Sequence, residues 1–465
     1  MKAEQENENT PISSSFEQEG GSRGSFRRVL KNRSFLLLWL AQLLSQVVFN
    51  AANYGIIALV TAITHSTTLV GLAIVSFTLP AVPFSLLAGV YVDYLDKRLV
   101  LWVSNILRAI AMGLMVFVLL VNPHTIVWLF FLAFAISLIS QFFTPAEASA
   151  IPLLVNKEDL VSALSLFNIT LTIAQALGFL VLGGLVTSLF PPFDIALGVI
   201  HVHVISFDIL FAIVAVIYII CTLLILAIPA RDLQQQQQKR PQLSELLGRH
   251  AWNIVKEGVK ETWVYIRKDR QLLLALAQVS GVSIVLLVIG ELAGPFVVNV
   301  LRLPVQFLPL IFAPAGIGLV LGGLFMPLLA GSLGINRTIA IGSIGTAVGL
   351  ILIPVGRFIL ERLALPAVGI LIFVAVVTLF IGAALDMVNI PAQTKMQQHA
   401  PEEERGRIFS FQSMLYNAGS IPVLLFLGVI ADILGVETVL FLLAAGVLLF
   451  QLWGFWYGRR SAPAH

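Results

Sequence analysis

Long apolar runs separated by short polar breaks dominate this chain. A membrane-spanning helix needs about 20 predominantly apolar residues. Runs of that kind occupy 35–60, 68–92, 99–121, 125–147, 160–189, 205–228, 272–300, 306–331, 338–357, 364–388, 407–431 and 436–457. The pattern predicts an all-α membrane protein of twelve spans. The fifth, seventh and eighth runs are long, which predicts tilted or frayed helices. Residues 191–204, between the fifth and sixth runs, predict an outer loop or a re-entrant piece.

The widest gap, 230–271, divides the runs six and six. It holds five glutamines, Gln234 to Gln238, and then Leu243, Leu246, Leu247, Ile254, Val255, Val259, Trp263 and Ile266 at helical spacing. Arg249, Lys256, Lys260 and Lys268 stand between them, so a basic amphipathic helix is predicted at the inner membrane surface or at the cytoplasmic helix ends. The expected units are a disordered cytoplasmic tail over 1–30, a six-helix bundle over 31–229, the linker over 230–271, a second bundle over 272–457 and a cytoplasmic tail over 458–465. The polar start of the chain lacks the basic-then-apolar order of a signal peptide.

Composition agrees with the pattern. Of 465 residues 58% are hydrophobic and 11% charged, and the mean hydropathy is +0.94. Soluble domains carry about 25% charged residues, so this chain could not cover a soluble surface. A net charge of +3 gives no reason to expect nucleic acid, and a single cysteine, Cys221, excludes an intramolecular disulfide. The basic residues orient the spans. With the N-terminus inside, only Arg302, Arg357 and Arg362 fall outside and Arg108 falls within the membrane; every other Lys and Arg is cytoplasmic. The expected location is the cell (inner) membrane, multi-pass, with both termini cytoplasmic.

Polar side chains inside the runs are the candidate chemistry. Gln42, Gln46, Asn50 and Asn53 share one face of the first run, and Ser137, Ser140, Gln141 and Thr144 share one of the fourth. Ser165, Asn168, Thr172 and Gln175 do so on the fifth, and Ser410, Ser413, Asn417 and Ser420 on the eleventh. Such stripes face other helices or a wet cavity. The first run's amides, with Gln141, Asn168 and Gln175, are the candidate substrate cavity, and the eleventh run's small groups read as helix contacts. Glu291 lies well inside the seventh run, where a charge is costly, and is a candidate proton carrier or a structural hydrogen-bonding group. Arg108 needs a partner, and Glu147 or Asp93 can supply it. Asp208, Asp386, Asn389 and Asp432 read as solvated helix ends. Gly318 with Gly322, and Gly345 with Gly349, predict close helix contacts. His201 and His203 would share a side only on an extended strand. No Cys or carboxylate cluster accompanies them, so no metal site is expected. The chain contains no phosphate-binding Gly-x-x-x-x-Gly-Lys-Ser/Thr sequence, which argues against direct use of ATP.

The short break Gly89–Arg98 is similar to the loop signature of the major facilitator superfamily, with Gly89, Asp93, Lys97 and Arg98 matching and Tyr94 where that family usually has Arg. Pro145 to Val155 with Glu158-Asp159-Leu160, and Ile390-Pro391-Ala392-Gln393-Thr394 with Arg405-Gly406-Arg407, resemble the macrolide-efflux and enterobactin-exporter branch. One departure stands in the fifth run, where Gly178-Phe179 replaces the Gly-Pro pair that such exporters often carry. The resemblance implies twelve helices in two pseudo-symmetric six-helix bundles that work by alternating access, and a gating role for Gly89, Asp93, Lys97 and Arg98. Lys97 and Arg98 are expected to hold the loop at the anionic surface.

The expected function is a secondary active transporter, not an enzyme. It exports amphipathic small molecules, drug-, macrolide- or siderophore-like, in exchange for protons. A lipid flippase, a facilitated uptake transporter, or a non-transporting receptor or scaffold of the same fold are the alternatives. The expected partners are a small-molecule substrate, protons and membrane lipids; no nucleic acid, cofactor or metal is expected, and the protein is expected to be a monomer.

Overall fold

The structure, a computed structural model, describes residues 28–122, 125–156, 159–197, 200–233, 249–363, 367–401 and 405–459. Nearly all of the tail expected over 1–30 and the glutamine run Gln234 to Gln238 with Leu243, Leu246 and Leu247 lie outside them. Twelve helices among the described residues are long and apolar enough to cross a membrane. They are Arg33–Thr64, Thr67–Ser85, Lys97–Val121, Ile126–Leu154, Ser162–Leu189, Ser206–Leu226, Arg270–Val300, Val305–Met326, Ile335–Arg362, Val368–His399, Arg407–Leu434 and Val436–Tyr457. These are called the first to twelfth spans below.

Packing partners repeat with a period of six spans. In the first half the first span packs against the fifth and sixth, the second against the fourth, and the third against the fourth and sixth. In the second half the seventh packs against the eleventh and twelfth, the eighth against the tenth, and the ninth against the tenth and twelfth. The same contacts recur at +6, so the two six-helix halves are pseudo-symmetric. Between the halves the second span meets the eleventh and the fifth meets the eighth, again a +6 pair, while the first meets the seventh.

The close contacts expected of the glycines are present. A β-carbon on Gly322 would fall 2.8 Å from the Ala383 carbonyl, and one on Gly318 would collide with the Leu379 carbonyl, so the eighth span lies directly on the tenth. Gly349 sits equally close to Ile381 of the tenth.

Several helices depart from straight spans. The second bends at Leu79–Pro80, between helical segments Thr67–Thr78 and Ala81–Tyr94. The fifth winds as a wider π-helix over Leu177–Leu185, and the seventh does so over Phe296–Val300, directly after Pro295. Proline lacks an amide hydrogen and crowds the preceding turn, which accounts for the second of these. The tenth helix runs Ala367–His399, well past the apolar run, and passes through Pro391. Hydropathy ends where lipid ends, whereas the helix continues on hydrogen bonds.

Residues 191–204 are not re-entrant. Strands β1 (Phe193–Leu197) and β2 (Ile200–Val204) form an antiparallel hairpin between the fifth and sixth spans. The end of the bundle carrying it is called the hairpin end. The opposite end carries the long linker, whose helix Arg249–Lys268 lies against the seventh and eleventh spans and the last turns of the second. Trp263 stacks on Phe411 with centroids 5.8 Å apart, and Ile266 is fully buried. Ile266 and the stacked Trp263 of this helix therefore lie against protein, and Lys256, Lys260, Arg267 and Lys268 stay exposed.

Candidate functional site: the junction of the two halves

The hydrogen bonds of Asp432 and Asn299 and the Phe179–Phe312 ring contact join the halves toward the hairpin end. The first span stops at His65, whose backbone is left-handed with φ 51°. Ser66 then caps the second span, its Oγ accepting from the Leu69 amide at 3.3 Å. That leaves amides of the helix start facing outward with a partial positive charge. Asp432, near the end of the eleventh span, fills the position. Its Oδ1 accepts from the Thr67 amide at 2.6 Å. Its Oδ2 accepts from the Thr68 amide at 3.0 Å, and from Ser66 Oγ and Thr68 Oγ1 at 2.6 Å each. Asp432 is thus a cap for a helix of the other half rather than a solvated helix end. Asn299 of the seventh span adds a bond to the His65 carbonyl at 3.1 Å.

Glu291 lies below this cap, where the second, seventh and eleventh spans meet. It is fully buried, and neither carboxyl oxygen has a hydrogen-bond partner. Glycine forms both walls: a β-carbon on Gly428 would sit 2.7 Å from Oε1, and one on Gly71 would collide with it. Gly294, one turn on, is pressed equally closely against Thr61 of the first span. The related contact between the fifth and eighth spans is apolar. Phe179 packs on Phe312 with ring centroids 5.2 Å apart, and Gly184 meets Pro309. Among the described residues, the polar lock is therefore built on one side of the pseudo-symmetric junction. The junction places of Gly71, Gly428 and Asp432 are not legible in the sequence, because their partners lie far away along the chain.

Arg108 sits in a separate buried cluster inside the first half. It donates to Ser45 Oγ at 3.0 Å and to Asn105 Oδ1 at 3.5 Å, and lies 4.4 Å from the Phe143 ring centroid and 5.7 Å from that of Tyr218. The expected direct pair with Glu147 is absent among the described ion pairs, and Glu147 Oε1 has no partner. Two aromatic faces and two oxygens surround the guanidinium instead, so the carboxylate acts on it through the field alone. Replacing Arg108 by Leu is expected to destabilise the protein by about 3–5 kcal/mol, because Glu147 is then left without a counter-charge. Thermal unfolding in detergent should register the loss, and a second change, Glu147→Leu, should recover part of it.

The amide stripe of the first span is divided. Gln42 is fully buried, with Nε2 on the Phe167 carbonyl at 3.5 Å, so it belongs to the contact with the fifth span and not to an open cavity. Gln46, Asn50 and Asn53 are half-buried, with Asn50 and Asn53 returning their amides to backbone carbonyls one turn back. Gln141 is half-buried and Gln175 exposed. The side chain of Asn168 lies outside the described residues. On the tenth span Gln393 donates to Asn389 at 3.1 Å and Asn389 to Asp386 at 3.5 Å, a chain of polar groups rather than separate solvated ends. Asp208 is buried and accepts from the Ile205 amide at 2.9 Å, capping the sixth span.

At the linker end, Lys97 turns inward. Its Nζ donates to the carbonyls of Val92 at 2.9 Å and Leu95 at 3.3 Å, closing the end of the second span, and it is buried. Arg98 donates to the Leu226 carbonyl at 2.6 Å, the end of the sixth. Both cations thus serve helix C-termini, and buried Lys97 is turned away from the surface where it was expected. The side chains of Asp93 and Tyr94, and further description of Gly89, lie outside the described residues. Among the described side chains no three His, Cys, Asp or Glu gather to hold a metal.

A sequence model described as Major Facilitator Superfamily matches residues 38–424. Among solved structures, a bacterial homologue of the iron transporter ferroportin in an inward-facing state is similar over 92% of this chain and 99% of its own, with 15% identity and a TM-score of 0.69. A bacterial homologue of the human lysosomal transporter Spinster, inward-facing and unoccupied, is similar over 93% and 99%, with 13% identity and a TM-score of 0.67. The nucleoside transporter NupG is similar over 92% and 99%, with 16% identity and a TM-score of 0.62. At these identities the likeness is one of fold. No curated protein matches the sequence.

Proposed function

Since the chain belongs to the major facilitator superfamily, we propose that it is a proton-coupled exporter of amphipathic small molecules working by alternating access. The linker end faces the cytoplasm in this reading, with both chain termini there and the hairpin end outside. The side on which Lys and Arg concentrate supports that orientation. The conformation described has its outer end locked.

Glu291 carries the proposal. Closing the outer end moves its carboxyl into a glycine-walled slot without a donor. An isolated charge there costs several kcal/mol, so the carboxyl enters the slot as the neutral acid and the proton is taken up before closure. Loss of that proton toward the cytoplasmic side leaves a charge the slot cannot hold, so the outer end reopens with the carboxylate in water, where it takes the next proton from outside. Proton exchange and the position of the halves are then one equilibrium. For the substrate, half-buried Gln46, Asn50, Asn53 and Gln141, with Phe179 and Phe312 near the junction, offer few hydrogen-bonding groups among apolar surface. Such a lining suits a partly apolar molecule better than a highly charged one.

Everted membrane vesicles supplied with an external fluorescent amphipathic dye test this reading. Uptake that rises when a proton gradient is imposed supports it; movement that ignores the gradient favours flipping or facilitated passage. Absence of movement for every dye tried favours a receptor or scaffold. The loop between the second and third spans adds a further expectation carried by the family signature. Asp93→Asn should lower dye transport without lowering the amount of protein in the membrane, and Tyr94→Arg should be tolerated. Unchanged turnover in Asp93→Asn would remove the gating role.

A further inference from the structure

At the hairpin end, the seventh span closes on a residue that the transport reading does not use. The Leu303 amide donates to the Val297 carbonyl at 3.0 Å, and Arg302 beside it is left-handed with φ 56°. Glycine is the usual residue at this point of a helix end, because a β-carbon there is strained. The Arg302 side chain is exposed, so buried packing does not offset the strain. Its guanidinium has no ion pair or hydrogen bond among the described residues.

Arg302 instead lines a pocket of about 330 Å³, shared with Arg357 and Glu361 of the ninth span and with Ile370 and Leu371 of the tenth. Pockets of about 300–1,000 Å³ hold small ligands. Arg357 is already engaged. It reaches Glu361 Oε1 at 2.9 Å and donates to Glu437 Oε1 of the twelfth span at 2.5 Å. Glu361 Oε2 has no partner among the described residues, and that side chain is exposed. The pocket thus presents one open cation, Arg302, and one open carboxylate oxygen. The same helix ends expose Phe358, Ile359, Val368 and Ile372, an apolar fringe that meets acyl chains in a membrane.

We infer that this pocket holds the headgroup of a zwitterionic phospholipid bearing a primary ammonium, with its phosphate on Arg302 and its ammonium on Glu361. The planar donors of a guanidinium match two phosphate oxygens at once. A purely anionic headgroup would set like charge against Glu361, and a purely cationic one would set it against Arg302. A headgroup of both signs answers both, and its acyl chains cover the apolar fringe, which a soluble zwitterion would leave bare.

Native mass spectrometry of the purified full-length protein, stripped of lipid in detergent and titrated with phosphatidylethanolamine, tests the site. Wild type should bind one lipid per chain saturably and more tightly than phosphatidylglycerol, and bound lipid should raise its unfolding temperature. Arg302→Gly relieves the left-handed backbone, so without lipid it should be at least as stable as wild type. Its affinity for phosphatidylethanolamine should nevertheless fall by at least about tenfold, through loss of a charge-assisted hydrogen bond. Glu361→Gln keeps an acceptor for Arg357 and should lose the preference over phosphatidylglycerol. Arg362→Gln, whose native guanidinium lies 4.6 Å from the Phe358 ring centroid, should bind as wild type does and is the control for charge at this end. A wild type that binds no phosphatidylethanolamine saturably, or binds phosphatidylglycerol as tightly, would overturn the inference. So would unchanged binding in Arg302→Gly, or free phosphoethanolamine binding as tightly as the lipid.

Discussion

Replacing Asp432 by Ala should open the hairpin end. The substitution removes the acceptor for two backbone amides and two hydroxyls at the start of the second span. Hydrogen bonds to a charged group are worth about 1.5–3 kcal/mol each when well enclosed. This carboxylate is partly exposed, so the lock as a whole is worth about 2–3 kcal/mol and its loss shifts the closed-to-open ratio by roughly 30- to 150-fold. The natural cysteine, Cys221, is buried and can be replaced. A single cysteine at Thr61, a position fully buried against Gly294, then reports access from the hairpin end. Thiol labelling of Thr61→Cys should accelerate by that factor in the Asp432→Ala background and by less in Asp432→Asn, which keeps one accepting oxygen. Equal labelling rates in all three proteins would mean that the cap does not hold the halves together.

The second large effect is expected at Glu291. Glu291→Gln keeps the shape of the side chain and fills the same slot between Gly71 and Gly428, but it cannot release a proton. Substrate binding and downhill exchange should persist, while uphill accumulation driven by a pH gradient should fall to the level of protein-free liposomes. Gly71→Ala separates geometry from titration. Its added methyl collides with Glu291 Oε1 when the outer end closes. Transport in that variant should therefore fall in both modes, because the Glu291 carboxyl must shift before the outer end can close. If Glu291→Gln accumulates substrate as well as wild type does, the carboxyl has only a structural place in the junction.

How much of this could be read from residues alone differs by level. The twelve spans follow from apolar run length, because lipid imposes one requirement along each whole helix, and the amphipathic linker helix follows from 3.6-residue spacing. Close packing at Gly318, Gly322 and Gly349 was legible because small residues four apart have few other uses in a membrane. The bend at Leu79–Pro80, the π-turns at Leu177–Leu185 and beyond Pro295, and the polar extension of the tenth helix were not. Hydropathy reports the solvent around a helix and not its hydrogen-bond pattern. Arg108 shows a second limit: opposite charges suggested Glu147, while the rings of Phe143 and Tyr218 and the oxygens of Ser45 and Asn105 took the near positions. Lys97 shows the same, a cation drawn to helix carbonyls rather than to lipid phosphate. Asp432 looked like an ordinary polar helix end because its four donors are more than 360 residues away.

Coupling of proton movement to substrate through Glu291 is the centre of this account. The most direct measurement uses proteoliposomes with a pH-sensitive dye sealed inside and no imposed gradient. An amphipathic substrate is added, and the internal pH is followed for wild type and Glu291→Gln. The account predicts a substrate-dependent pH change in wild type that disappears in Glu291→Gln while substrate exchange continues. Substrate movement in wild type with no accompanying pH change, or the same pH change in both proteins, would contradict it.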